Sequence, residues 1–285
     1  MSDSMDPVRI GILGMGTVGQ GTVRVLARNA EEITRRVGRD LRVVHAAVRN
    51  PARLEALDLQ ARISTDPWAV VRDPEVDVLV EVMGGTGLAR ELILAAIAAG
   101  KHVVTANKAL LAEHGNEIFA AAQQQGVMVA FEAAVAGAIP IIKAIREGLA
   151  GNRIQWLAGI INGTSNYILT QMFREGWDFQ QALTEAQRLG YAEADPGLDV
   201  DGGDAAHKIT LMASIAFGIP VDFAHCHVEG IRALERDDVV YAAELGYRIK
   251  LLGISRRRAD GVELRVHPTL IPESHLLANV EGPFN

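Results

Sequence analysis

The residues best placed to do chemistry lie between Gly190 and Lys208, in the run Gly-Tyr-Ala-Glu-Ala-Asp-Pro-Gly-Leu-Asp-Val-Asp-Gly-Gly-Asp-Ala-Ala-His-Lys. Five carboxylates, Glu193, Asp195, Asp199, Asp201 and Asp204, fall in this stretch, more than an idle turn needs. A calcium loop would require the order D-x-[DN]-x-[DN]-G with a distant Glu, and that order is not met. Asp204 and Lys208 stand four residues apart at the start of a predicted helix, so they share one face. That face continues through Leu211, Met212 and Ile215 and is the core-facing stripe. A cation in the first turn opposes the helix dipole, and partial burial disfavours its charge as well, which places Lys208 to exchange protons. Taken alone, an Asp/Lys pair at this spacing is ordinarily a helix-surface salt bridge.

A second constellation is the glycine turn Gly14-Met15-Gly16-Thr17-Val18-Gly19, between a predicted strand over 8–13 and a helical rhythm through Val18, Val23, Val25 and Leu26. Gly14 permits the tight turn, Gly16 lets the backbone approach a pyrophosphate, and Gly19 allows close helix packing. With Thr17 and Val18 they open a helix whose N–H groups and positive dipole end suit an anion. The next strand ends in Ala46-Ala47-Val48-Arg49-Asn50, with no acid to bond a ribose 2′-hydroxyl. Arg49 therefore favours NADP over NAD. The alternative is a solvated loop cation, and the first helix looks longer than this register usually has.

These residues need elements to hold them. Strands are predicted over 8–13, 41–48, 76–82, 102–105 and 127–131, with helices between them, notably 89–99 closed by Gly100 and 110–125 closed by Gly126. Strands alternating with helices predict an α/β fold, a Rossmann-type doubly wound parallel sheet. Past Phe131 the alternation stops. A helix over 139–149, a strand over 151–161, helices over 166–173 and 179–189, the acidic turn and a helix over 205–217 predict a second, α+β domain. The boundary is placed near Ala138, giving a dinucleotide-binding domain over 7–138 and a catalytic and dimerising domain over 139–285.

Composition excludes several classes. Among 285 residues, Lys+Arg 28 against Asp+Glu 35 gives a net charge of −7, which argues against a nucleic-acid or anionic-lipid surface. Hydrophobic residues at 49% support a sizeable core. The single Cys226 can form no internal disulfide and fits a reducing cytoplasm. The first residues are acidic and polar, unlike a secretory signal, and the longest apolar run, 133–142, is about half of a membrane-spanning helix. His225-Cys226-His227 alternate as on a strand but offer no third metal ligand, so a structural or surface role is expected. Arg256-Arg257-Arg258 before Ala259-Asp260-Gly261 reads as a solvated hairpin tip.

Thr105-Ala106-Asn107-Lys108, Asn162-Gly163-Thr164-Ser165-Asn166-Tyr167-Ile168 and Gly190 to Pro196, followed by Asp199, Gly202, Asp204 and Lys208, together resemble the homoserine dehydrogenase family, in order, from about Ile10 to the last residue. The resemblance implies reversible reduction of L-aspartate 4-semialdehyde to L-homoserine with NADPH or NADH, in threonine, methionine and isoleucine biosynthesis, by a cytoplasmic homodimer. It implies that Lys208 is the proton donor and acceptor, with Asp204 and Lys108 beside it. Glu193 would receive the substrate ammonium, and Gly163, Thr164, Tyr191 and Asp199 would line the substrate site. Arg49 would contact the 2′-phosphate, and Lys108 would also touch the cofactor. Glu132, Val135, Gly137 and Ile139 would hold a monovalent cation, sodium, through backbone carbonyls. Family members continue past the equivalent of Pro283-Phe284-Asn285, so the chain is expected to be truncated relative to them. Two rival functions share parts of this pattern: a phosphorylating semialdehyde dehydrogenase using Cys226 as thiolate, and a catalytically silent NADP-binding sensor.

Overall fold

A computed structural model describes residues 6–54 and 59–283. The N-terminal residues 1–5, read above as unlike a signal, and Phe284 and Asn285 lie outside the described residues. The chain divides into two units, Met1–Pro140 and Ile141–Asn285.

The first unit runs β1 (Val8–Leu13), α1 (Thr17–Arg28), α2 (Ala30–Val37), β2 (Leu41–Ala47), β3 (Arg62–Ser64), α3 (Pro67–Arg72), β4 (Val78–Glu81), α4 (Leu88–Ala98), β5 (His102–Thr105), α5 (Lys108–Gln125), β6 (Val129–Ala130) and α6 (Glu132–Val135). Its six strands are all parallel, in the order β3-β2-β1-β4-β5-β6. Alternation in β1 sends Ile10 and Ile12 into one cluster with Val23 of α1. On the opposite face Gly11 makes room for α3, since a Cβ there would lie 2.7 Å from Val70 Cγ1. Both faces of the sheet are covered, as the sequence pattern requires of parallel strands. The strand order reverses between β1 and β4, the place where doubly wound sheets open a crevice for a ligand.

The second unit runs α7 (Ile141–Lys143), which continues into a π-helical turn over Ala144–Gly148, then β7 (Trp156–Gly159), α8 (Gly163–Glu175), α9 (Phe179–Arg188), α10 (Gly197–Val200), α11 (Gly203–Phe217), β8 (His227–Val228), α12 (Arg236–Glu244), β9 (Tyr247–Arg257) and β10 (Val262–Pro272). The sheet order is β7-β9-β10-β8, with β9 antiparallel to β7 and β10, and β8 parallel to β10. Ile209 of α11 packs on β9 at Gly253, where an added Cβ would approach it to 3.2 Å. On β9, Lys250 is buried and donates to Asn166 Oδ1 of α8 at 3.2 Å and to Val280 O at 2.6 Å.

Several expectations are corrected. The long first helix is two helices meeting at Asn29, whose backbone leaves the helical region at φ −108°, ψ 19°. The strands over 127–131 and 151–161 shrink to Val129–Ala130 and Trp156–Gly159, because only those residues find a ladder partner. The helix expected from 139 starts at Ile141, after Ala138 takes a left-handed φ of 63°. His225 sits in a turn bonded to Asp222, and Cys226 precedes β8, so the three residues do not alternate on one strand. Arg256 and Arg257 belong to β9 itself, and Arg257 stacks 5.2 Å over the Phe217 ring, so only Arg258 stands at the hairpin tip.

Candidate active site

In the first unit the glycine turn follows β1 and is shaped by contact. Gly14 has φ 97°, and a Cβ on it would fall 2.8 Å from Val82 O. At Gly19 a Cβ would fall 2.0 Å from Gly14 O, so the turn closes on itself only with hydrogen at both positions. Gly16 is different: it caps α1, and a Cβ there would meet nothing within 4 Å. Gly16, Thr17 and Val18 are exposed, no side chain caps the helix, and its first turn holds no acid. The result is a backbone cradle with a positive dipole end facing open space, which fits a phosphate group. Gly14 N–H donates to Ala47 O at 3.2 Å, which ties the end of β2 to this turn. Arg49, two residues further, is exposed and makes no ion pair among the described residues.

The next two strand ends meet at a buried carboxylate, Glu81 of β4 beside Thr105 of β5, which no motif marks. Glu81 closes β4 with its side chain inaccessible to solvent, among the loops that follow β4 and β5. Lys108 is half-buried as the first residue of α5, behind Asn107, whose Oδ1 accepts from Leu110 N–H at 3.2 Å. Glu132 opens the one-turn helix α6, Val135 closes it, and Gly137 and Ile139 follow on irregular backbone around Ala138. Among the described residues no three His, Cys, Asp or Glu side chains cluster as metal ligands.

In the second unit the acidic turn and the head of α8 meet. Lys208 Nζ lies 2.8 Å from Asp204 Oδ2 and donates to Ile161 O at 3.0 Å. The Asp204 side chain is 5% exposed and that of Lys208 is 20% exposed, so the pair faces solvent through the amine alone. Asn162, at the head of the Asn-Gly-Thr-Ser motif, is the hub. Its Nδ2 donates to Asp199 Oδ1 at 2.7 Å and to Asp204 Oδ2 at 2.9 Å, while its Oδ1 accepts from Ser165 N–H and caps α8. An asparagine directly before Gly-Thr-Ser at a helix start is the available signal for that cap. Ser165 Oγ donates to Asp199 O at 3.0 Å.

Thr164 Oγ1 donates to Tyr191 O at 2.7 Å, and Tyr191 packs its ring 4.9 Å from that of Tyr167. Gly163 admits Pro283, whose carbonyl oxygen would stand 2.1 Å from a Cβ. Glu193 is exposed, held through its backbone carbonyl by Gln187 Nε2 at 3.0 Å. Asp201 turns away to pair with Arg232 at 2.8 Å, and Asp195 Oδ1 accepts from Gly197 N–H. The five carboxylates thus divide between the amine cluster, an exposed position and the turn's own framework. Cys226 lies in none of these, and burial pushes its thiol up to about 11.

A glycine cradle at the switch point of a parallel sheet defines a Rossmann-type nucleotide-binding unit, here followed in the same chain by a second unit with an amine–carboxylate pair. The family model described as homoserine dehydrogenase matches residues 140–285, and that of its NAD binding domain matches residues 14–132. The chain is 61% identical over 282 residues to a homoserine dehydrogenase of Pseudomonas aeruginosa, covering 99% of this chain and 64% of that protein. It superposes on the crystal structure of a homoserine dehydrogenase from Thiobacillus denitrificans with a TM-score of 0.95 at 65% identity, covering 98% of this chain and 65% of that one. A hyperthermophilic archaeal homoserine dehydrogenase solved in complex with NADPH matches with a TM-score of 0.81 at 26% identity, covering 97% of this chain and 85% of that one. The chain belongs to the homoserine dehydrogenase family, and it spans about 65% of the length of the curated relatives it matches.

Proposed function

We propose that the protein catalyses the reversible, NADPH-dependent reduction of L-aspartate 4-semialdehyde to L-homoserine, the step its family serves in threonine, methionine and isoleucine biosynthesis. The observation that carries this reading is the Lys208 amine, held 2.8 Å from the Asp204 carboxylate and aimed by Ile161 O, with its free side toward solvent. An amine so held can give a proton to the carbonyl oxygen as that oxygen becomes an alcohol, and take it back in the reverse direction. Asp204 keeps the amine in place and balances its charge, and Asn162 fixes Asp204.

The exposed Glu193 carboxylate suits the substrate ammonium. Gly163, Thr164, Tyr191 and Asp199 are read as lining the substrate site, and Lys108 as offering a cation to the reaction and to the cofactor. The cradle at Gly14, Gly16 and Gly19, with Thr17 and Val18, fits a pyrophosphate, and Arg49 fits a 2′-phosphate, which favours NADP over NAD. Bound NADPH supplies the hydride. Glu132, Val135, Gly137 and Ile139 are read as a sodium site. Support for it is the irregular backbone there, including Ala138, the one non-glycine residue of positive φ among those described.

The working form is read as a homodimer, on the family resemblance. Among the described residues no helix is long and apolar enough to cross a membrane, and the cytoplasmic reading rests on the acidic composition and the single cysteine. The thioester alternative needs a thiolate, and the raised Cys226 thiol opposes it.

The deciding experiment follows NADPH and NADH consumption with aspartate semialdehyde, and NADP+ reduction with homoserine. Turnover dependent on both substrates, faster with NADPH, is the expected result. NADPH binding without turnover would turn the assignment to a silent sensor, and abolition of turnover by alkylating Cys226 would turn it to the thioester enzyme.

A further inference from the structure

A carboxylate inside a parallel sheet is costly, because its charge leaves water and β4 would otherwise be filled by an apolar residue. Glu81 is fully buried, and among the described residues it pairs with no cation. Its partners are three neutral donors. Oε1 accepts from Met83 N–H at 2.9 Å and Gly84 N–H at 3.1 Å, and Oε2 accepts from Thr105 Oγ1 at 2.7 Å. The Thr105 hydroxyl thus donates to Glu81 and accepts from Asn107 N–H, at 3.0 Å. Asn107 closes the ring: its Nδ2 donates to Gly85 O at 2.7 Å while its Oδ1 caps α5.

We propose that Glu81, Thr105 and Asn107 form a positioning unit that locks the loop after β4 to the head of α5 and so fixes where Lys108 stands. The inference rests on the reading of Lys108 as a participant in the reaction. These bonds tie the loop after β4 to Thr105 and Asn107 at both ends, so the head of α5 cannot shift without stripping a buried acceptor of its donor. The same loop backs the cofactor cradle, since Gly14 abuts Val82 O and Met83 Cα, at 2.8 and 2.9 Å from a would-be Cβ. One buried carboxylate therefore sets both the turn expected to hold phosphate and the lysine expected to serve the substrate.

The test compares Thr105→Val, which keeps shape and loses the hydroxyl, with Thr105→Ser, which restores it. Thr105→Val should lower kcat about 10- to 100-fold, the scale of a misplacement by about 1 Å. Thr105→Ser should stay within about threefold of wild type, and in a Lys108→Ala background Thr105→Val should cost less than about threefold more. Asn107→Ser, which keeps a cap but drops the bond to Gly85, should also lower kcat, and it carries the test if the valine variant fails to fold.

Amide hydrogen exchange gives a readout independent of turnover: residues 82–86 and 105–111 should gain exchange together in Thr105→Val. Wild-type kcat in Thr105→Val and Asn107→Ser, losses that simply add to that of Lys108→Ala, or exchange rising in one segment alone would overturn the positioning unit. Wild-type kcat in Lys108→Ala would overturn it at its premise, while homoserine turnover by the wild-type chain would show that the proposed function stands.

Discussion

Lys208→Met is the perturbation that separates chemistry from architecture. Methionine keeps an unbranched stem against α11's neighbours and removes the ammonium that now sits 2.8 Å from Asp204 and 3.0 Å from Ile161 O. If the amine carries the proton, kcat should fall about 10²–10⁴-fold, the usual contribution of a positioned acid or base, or roughly 3–5 kcal/mol on the barrier. A stability loss accompanies it. Breaking a fully buried ion pair costs about 3–5 kcal/mol, but the amine end is partly solvated, so roughly 1–3 kcal/mol is expected. That corresponds to a drop of several degrees in Tm, about 2–4 °C per kcal/mol for a unit of this size.

The assay is initial-rate homoserine oxidation at saturating NADP+, with NADPH affinity from fluorescence and a hydride isotope effect to show that chemistry limits the rate. Asp204→Asn should slow turnover too, and the double variant should be little worse than Lys208→Met, because the two groups act as one. A folded Lys208→Met protein that binds NADPH normally and keeps kcat within about threefold of wild type would refute the assignment and leave Asp204–Lys208 as a structural ion pair.

Arg49→Asp should turn cofactor preference toward NAD by removing a phosphate contact and adding repulsion, worth about 1–3 kcal/mol in the ratio of kcat/KM for NADPH and NADH. An unchanged ratio would place the 2′-phosphate elsewhere. Glu193→Gln should raise KM for homoserine and leave the NADPH dissociation constant alone; an equal loss in both would end its role as ammonium receptor. Lys250 supplies a pH test. Burial holds its ammonium at about 8 against 10.5 for the free side chain, so the unfolded chain binds that proton more tightly. The group's contribution to stability is present above about 10.5 and is lost as pH falls through about 8, a swing of roughly 3 kcal/mol. Urea unfolding across that window should show a rise in wild type that is missing in Lys250→Met, and identical slopes would refute it.

What the sequence reveals is what its short-range patterns encode. The strand–glycine–helix unit at Gly14 to Gly19 is legible because the turn closes on itself, Gly19 against Gly14. The Asp204–Lys208 pair is legible because four residues make one helical turn. Asn162 joins Asp199 and Asp204 from 37 and 42 residues away, and Lys250 reaches Asn166 across 84, so nothing local announces either. Glu81 is visible in the run Val-Asp-Val-Leu-Val-Glu-Val, yet Asp77 in the same run is a partly exposed partner of Arg9. Pattern alone cannot say which acid is interior. The two shortened strands, over 129–130 and 156–159, mislead for the opposite reason: their flanks are apolar enough for a strand but find no neighbour to pair with.

Asn162 also bears on how the protein ages. It is followed by Gly163, and an Asn-Gly step is the one most open to deamidation, in which the following backbone nitrogen attacks the side-chain amide carbon and ammonia leaves. Here the departing nitrogen is hydrogen-bonded to two carboxylates, the amide oxygen is held by Ser165 N–H, and Gly163 is already the first residue of α8. The folded state thus shelters a bond that would be labile in the open chain, and damage accrues only as often as the head of α8 opens. Each such event would convert a neutral hub into an acid facing Asp199 and Asp204, so storage lifetime at this site is governed by the frequency of local opening rather than by the intrinsic reactivity of the sequence.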